Sequence, residues 1–381
     1  MTNKILLSIA IPTYNRATCL ERLLNNLLPQ ALEFRDEIEI CISNNGSMDN
    51  TREVVMNFKE THPDFIRYRE NKENLGFDIN FLKVVNMTEG EFVWPFSDDS
   101  LFAENGVKEV ISFLKENKDK NIGGMVVKDS SYIVDGRTGE QTKYHSSVDK
   151  GKSEKYGGLN FIEMVQDGVP YEGLCLLIFN NKLLQKILKE NPDLVKKGIG
   201  SYYLHSWLFL LLFLLNKNAK YYVLNKTIMV SPDTLSKYKF VMEDHFLLFY
   251  RGRIEFFDKL LLTISKLELD KDVVKAVKKL KKHPIITLMY TMALFKAFGI
   301  ANLSSSIKCI KLSFRYLSFV SVLLISIFLI LILLIPSSIV KKICKFVLRF
   351  RFKTKEQIES AWNVTYITFT YWNKGNRSIV K

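Results

Sequence analysis

Two adjacent carboxylates, Asp98 and Asp99, follow the apolar run Phe92–Phe96 and are the most chemically loaded residues of the chain. Side by side at a strand end, they repel each other unless a cation neutralises them. A divalent ion with oxygen ligands, Mg²⁺ or Mn²⁺, would do so and would bridge a diphosphate. The same pair could instead cap a helix over Leu101–Leu114, since Asp is a favoured N-cap residue. Three more polar clusters follow apolar runs. Thr13-Tyr14-Asn15-Arg16 follows Leu6–Ile11, Ser43-Asn44-Asn45-Gly46-Ser47 follows Glu39–Ile42, and Glu70-Asn71 follows Phe65–Tyr68.

The stretches between these runs read as helices. Thr18–Leu32 carries Leu20, Leu23, Leu24, Leu27 and Leu28 at helical spacing. Asn50–Lys59 is a second helix, with Asp49 or Asn50 as its cap, and Asn80–Met87 a third. Strands alternating with helices predict an α/β fold with a mostly parallel, doubly wound sheet. Ligands bind beyond the carboxyl ends of such strands, so four polar clusters at four ends describe one site. Further on, Gly173–Asn180 and Tyr221–Leu224 read as strands, Ser201–Leu215 as an apolar helix and Ser231–Lys239 as a loop. From Glu243 to about Ala301 the pattern is helical, with a basic patch at Lys278-Lys279-Leu280-Lys281-Lys282.

Composition narrows the partners. The net charge of +14 over 381 residues points to polyanions. Cys19, Cys41, Cys175, Cys309 and Cys344 are scattered, which argues against a disulfide framework or a zinc site and suits a reducing compartment. The N-terminal run ends at Pro12 and reads as a first strand rather than a signal peptide.

A mean hydropathy near zero, +0.02, suggests a local apolar segment. Leu317–Ile335 is that segment, and Pro336 ends it. Lys308, Lys311 and Arg315 precede it, and Lys341, Lys342, Lys345, Arg349, Arg351, Lys353 and Lys355 follow. No Asp or Glu lies between Leu303 and Lys355. Aromatic-basic RNA motifs and a helix-turn-helix pattern are absent, so nucleic acid is not the expected partner. Anionic lipid explains the apolar run and the basic flanks together. A helix lying in the interface, or dipping in and returning at Pro336, keeps both flanks on the cytoplasmic side, as the positive-inside tendency asks.

Four segments together strongly resemble family 2 glycosyltransferases: Ile9–Arg16, Ser43–Asn50, Asn74-Leu75-Gly76 with Asn80, and Phe96–Ser100. The likeness is good over residues 4–115, looser over 116–240, and nearest to the abequosyltransferase-like subgroup of surface-polysaccharide enzymes. It implies a GT-A fold, Rossmann-like with helices on both sheet faces, over residues 1–245. A helical extension over 246–302, a membrane-binding segment over 303–355 and a tail over 356–381 would follow. It further implies a nucleotide-sugar donor whose pocket is lined by Pro12, Thr13, Tyr14, Asn15, Arg16, Asn44, Asn45, Asn74, Gly76 and Asp98. Asp99 would be the direct ligand of the divalent cation. Asn44 stands where the family usually has Asp, and Ser100 where a third acidic residue is common.

Inverting members place an acidic base ahead of the helix that corresponds to Trp207–Leu215. This chain has Tyr203-Leu204-His205-Ser206 there, which makes His205 the candidate base, with Glu172, Asp167 and Asp244 as fallbacks. The resemblance thus implies an inverting glycosyltransferase at the cytoplasmic face of a bacterial inner membrane. Its acceptor would be a saccharide, lipid-linked, in O-antigen or capsule synthesis. The alternative is an inactive relative that scaffolds a polysaccharide-assembly complex. A dinucleotide-dependent oxidoreductase lacks support, since no Gly-x-Gly-x-x-Gly follows the first strand.

Overall fold

The computed structural model describes residues 4–134, 141–145, 158–167, 173–233, short stretches between 256 and 311, and 319–348. Its first half alternates β1 (Leu7–Thr13), α1 (Ala17–Leu32), β2 (Ile38–Asn44), α2 (Thr51–Thr61), β3 (Ile66–Glu70), α3 (Phe77–Val85) and β4 (Phe92–Pro95). Then come β5 (Leu101–Phe102), α4 (Gly106–Glu116), β6 (Ile122–Val134), β7 (Gln141–His145), α5 (Phe161–Asp167) and β8 (Leu177–Asn180). α6 (Asn181–Glu190), α7 (Pro192–Gly198), α8 (Leu204–Leu215) and β9 (Lys220–Asp233) follow, and α9 (Phe319–Leu334) and α10 (Ser337–Leu348) lie near the C-terminus.

One sheet runs in the order β3-β2-β1-β4-β8-β6-β9-β5, with β7 pairing with β6. β3, β2, β1 and β4 are parallel neighbours. β4 with β8, β8 with β6, and β5 with β9 are antiparallel. The parallel half is the half whose strands alternate with helices, because a parallel pair needs a crossover connection. β1 and β2 are buried at all seven positions, as expected for strands covered on both faces.

The charged exception in β2, Glu39, is satisfied rather than exposed. It accepts from the Ser8 hydroxyl at 2.6 Å and the Glu89 amide at 2.6 Å, and pairs with Arg67 at 3.1 Å. That pattern is required of a buried carboxylate, which otherwise costs several kcal/mol, on the order of 2–7 for an unpaired polar group.

Three expectations change. Leu101 and Phe102 form a short strand against Val230 and Met229, and the helix begins only at Gly106, so Asp98 and Asp99 cap no helix. Residues 174–176 form a 3₁₀ turn before β8 rather than a continuous strand from Gly173. β9 continues to Asp233, past the loop expected from Ser231, and its Met229 and Val230 pair with β5.

The chain forms two compact units: residues 1–131, 145–232 and 270–276, and residues 132–144, 233–269 and 277–381. The first holds the strand-helix alternation. In the second, the apolar segment expected over Leu317–Ile335 is helical from Phe319 to Leu334. Pro336 lies between the helices, and its carbonyl accepts from Ile339 and Val340 at the start of α10. Among the described residues, no helix is long and apolar enough to cross a membrane. Residues 317 and 318, Lys279–Lys282, Cys309 and everything after 348 lie outside the described residues.

Candidate active site

The turn bearing Asp98 and Asp99 is held from both sides by aromatic rings. Phe96 before it and Phe102 after it stack with centroids 4.0 Å apart, and Trp94 meets both edge-on. All three are buried, each stabilising the fold by roughly 1.5–3 kcal/mol. The Trp94 indole donates to the Cys175 carbonyl at 2.7 Å, and Asn26 of α1 accepts from the Phe102 amide at 2.7 Å. The carboxylates therefore project from a rigid turn, as a preorganised site requires.

Asp98 is buried and accepts from the Thr13 hydroxyl at 2.7 Å. One guanidinium nitrogen of Arg16 donates to Asp98 at 2.9 Å and to Asp99 at 2.7 Å. Asp99 is more open, accepts from the Ser97 hydroxyl, and its carbonyl accepts from Arg22 at 3.2 Å. Thus the cation that relieves the repulsion of the pair here is Arg16. Burial still pushes the Asp98 carboxyl up to about 6, the nearby Asp99 adds to the rise, and Arg16 and Thr13 oppose it.

The other loops are stitched together by amides. Asn45 donates to Asn74 at 2.8 Å and to the Gly76 carbonyl at 3.3 Å, and accepts from Asn71 and from the Leu75 amide. Asn80 accepts from Ser43 at 2.7 Å and donates to the Ser43 carbonyl at 2.9 Å. Gly76, at φ +82°, opens α3 in a conformation that glycine adopts freely. Asn15 sits at φ +51°, where Asn is among the tolerated residues, and clasps the second loop. Its amide donates to Ser47 and its side chain accepts from Met48, both at 2.8 Å. Asp49 accepts from the Ala17 and Thr51 amides, so the side-chain bond at the start of α2 comes from Asp49, one residue before the N-cap Asn50, whose own side chain makes none.

Asn44 is wholly buried and directed sideways, donating to Tyr68 at 3.0 Å and Glu70 at 3.4 Å. The acidic group at this edge is therefore Glu70, close to the position where the family's Asp is missing. Pro12 is buried within β1 beside Ser43, while Tyr14 is exposed at the rim.

His205 is buried on α8, edge-on to Phe77 at 6.1 Å and Phe81 at 6.3 Å, and desolvation pushes it down to about 3. An imidazole held in this aromatic cradle, with almost no surface for an acceptor, has the surroundings of a neutral packing group. Asp167 closes α5, while Glu172 and Asp244 lie outside the described residues.

The neighbour that sequence reasoning missed is Asp78. This buried carboxylate of α3 accepts from the Gly200 amide at 2.7 Å and the Tyr202 amide at 3.3 Å, ahead of α8. It ties that segment to α3, two residues beyond Gly76. Its signal was faint: an Asp in the first turn of a helix ordinarily serves its own helix end.

Residues 8–195 match the family described as glycosyl transferase family 2. That stretch, just under half of the chain, is a family 2 glycosyltransferase domain. Over 115 residues the chain is 39% identical to the abequosyltransferase RfbV of Salmonella typhimurium, a match covering 30% of this chain and 34% of that protein. The chain thus spans about a third of that relative's length, and its family 2 domain is of the abequosyltransferase-like kind. Among solved structures, S. aureus TarS 1-349 in complex with UDP-GlcNAc has a TM-score of 0.56 at 17% identity, covering 98% of this chain and 92% of that one. The mannosyltransferase PcManGT of Pyrobaculum calidifontis, in complex with GDP-Man and Mn²⁺, has a TM-score of 0.53 at 15% identity, covering 97% and 87%. Both likenesses concern the fold, which is GT-A-like.

Proposed function

We propose that this protein is an inverting glycosyltransferase that moves a sugar from a nucleotide donor to a saccharide acceptor in bacterial surface-polysaccharide synthesis. The observation that carries the reading is the Arg16 guanidinium between Asp98 and Asp99 at the carboxyl ends of β1 and β4. One cation and two carboxylates, fixed on a rigid turn, form a receiver for a diphosphate and a divalent ion together.

The donor set fits Mg²⁺ or Mn²⁺, since both ions take hard oxygen ligands. Among the described residues there is no group of three His, Cys, Asp or Glu to hold an ion alone. The ion would therefore share its shell with the phosphates of the donor, with Asp99 as the protein ligand and Asp98 behind it. When bound, it would neutralise charge on the departing nucleoside diphosphate. Arg16 would turn one face to the phosphates, a task suited to a guanidinium fork. Thr13 would keep Asp98 oriented, and Asn45 and Asn74 would hold the loop that closes the nucleotide side. The acceptor hydroxyl would attack the anomeric carbon from the opposite face, giving its proton to a carboxylate among Asp167, Glu172 and Asp244.

A lipid-linked acceptor at the cytoplasmic face of the inner membrane suits the acid-free, basic C-terminal sequence. The test is transfer from a panel of nucleotide sugars to lipid-linked and soluble saccharides, with the anomeric configuration of the product read by NMR. Inverted product supports the reading. Neither transfer nor donor hydrolysis across the panel would favour the scaffold alternative.

A further inference from the structure

α9 is two-faced in an unusual sense: both of its faces are apolar. Val322, Ile325, Leu329 and Ile332 are buried, whereas Leu323, Leu324, Ile327, Ile330, Leu331 and Leu334 stand exposed. The exposed set recurs at i, i+1, i+4, i+7, i+8 and i+11, one continuous stripe along the helix. Across Pro336, α10 repeats the arrangement, burying Val340 and Cys344 and exposing Ile339, Ile343 and Phe346. Nine large apolar side chains on two consecutive helices far exceed the scattered exposure that needs no explanation.

One-sided burial and charge indicate what covers them. The 16 described residues of α9 run about 24 Å. One side of α9 is already buried, so lipid can reach only the other. From Leu303 through Lys355 the sequence holds ten Lys and Arg and no Asp or Glu. Lys341 and Lys342 lie on α10 itself, next to the exposed row. Two copies meeting through this surface would bring two such acid-free basic segments together, whereas anionic headgroups would complement them.

We infer that the exposed stripes of α9 and α10 form a monotopic docking face that lies in the plane of an anionic membrane. The inference rests on the membrane part of the proposed function and names the side chains that would carry it. The apolar row would enter the boundary between headgroups and acyl chains, with the lysines at phosphate level, as interfacial helices do.

The test is flotation of the full-length protein with phosphatidylglycerol-rich vesicles and with pure phosphatidylcholine vesicles, at low salt and at about 1 M salt, where only the charge contribution is screened. Flotation with the anionic vesicles that survives high salt is the expected result. The double variant Ile327→Glu/Leu331→Glu replaces two exposed residues, so its melting temperature and circular dichroism should hold while flotation falls at least about tenfold, given the cost of placing charge in the acyl region. Lys341→Glu/Lys342→Glu should weaken flotation mainly at low salt. Wild-type protein that stays unbound, or an Ile327→Glu/Leu331→Glu variant that floats as well as wild type, would overturn the inference. So would a wild-type dimer in light scattering that this variant abolishes without any vesicle binding. Transfer to a soluble saccharide, measured on the same variant, is read separately: a folded variant that transfers but does not float leaves the sugar chemistry standing, and a floating wild type without transfer leaves the docking face standing.

Discussion

Arg16 and Asp99, 83 residues apart in sequence, are joined at 2.7 Å across the mouths of β1 and β4. The same nitrogen reaches Asp98, so one guanidinium holds two like charges together. Removing it leaves the carboxylates facing each other and the diphosphate without its protein cation. Arg16→Ala is expected to weaken nucleoside diphosphate binding by about tenfold or more, the scale of a charge-assisted bond. Arg16→Lys should recover only part, since an ammonium cannot reproduce the fork. Calorimetric titration of the three proteins checks the order.

Asp98 predicts a pH dependence of stability. Its carboxyl is raised from an ordinary 3.8 to about 6 by burial. Between those values the folded chain binds this proton more tightly than the unfolded chain, so its contribution to stability falls as pH rises through the window. Urea denaturation at pH values from about 4 to 7 should show this downward slope in the wild type, superimposed on other groups. Asp98→Asn cannot titrate there, and the difference between the two proteins should run opposite to an ordinary salt-bridged Asp. Diphosphate and metal binding should strengthen as pH rises past about 6, where the carboxylate forms.

His205 is expected to behave as core. Replacing its ring by Ala should destabilise the protein by about 3–5 kcal/mol, the range for truncating a buried aromatic group. The pH profile of turnover should keep its shape. A loss of two to four orders of magnitude in turnover with an unchanged melting temperature would restore the general-base role, whose usual span that is.

Asp78 is expected to matter for the segment ahead of α8. Asp78→Ala removes the acceptor of the Gly200 and Tyr202 amides and should cost about 1–3 kcal/mol. Tyr202 holds φ +61°, a costly position for a bulky residue. Hydrogen exchange should therefore quicken at Gly200 and Tyr202 before it does in α1 or β1, and uniform quickening would contradict a local role.

The parallel half of the fold was legible because its signals are local. Apolar runs such as Leu6–Ile11 end in polar clusters, and Leu20 to Leu28 repeat at helical spacing. The carboxyl-end rule then places Thr13, Arg16, Asn44 and Asp98 at one edge of the sheet from sequence alone. What escaped depends on contacts distant in sequence. Leu101-Phe102 is too short to announce itself and becomes a strand only by pairing with Met229 and Val230. Asn44 gives no sign in sequence that its amide donates to Tyr68 and Glu70 on the neighbouring strand. His205 sits near the expected place in sequence, but the face it presents is decided by Phe77 and Phe81 on another helix. That Arg16 pairs with both Asp98 and Asp99 likewise depends on a contact more than eighty residues away in sequence.

The central claim is that Asp99, beside Arg16, receives a divalent cation together with the donor's diphosphate. Calorimetric titration of a nucleoside diphosphate into wild type and Asp99→Asn, with and without Mn²⁺, tests it most directly. Mn²⁺ should tighten binding to the wild type by at least about tenfold, about 1.4 kcal/mol, and should give no such gain in Asp99→Asn, whose metal-free affinity stays close to that of the wild type. An equal gain in both proteins would place the ion elsewhere and contradict the account.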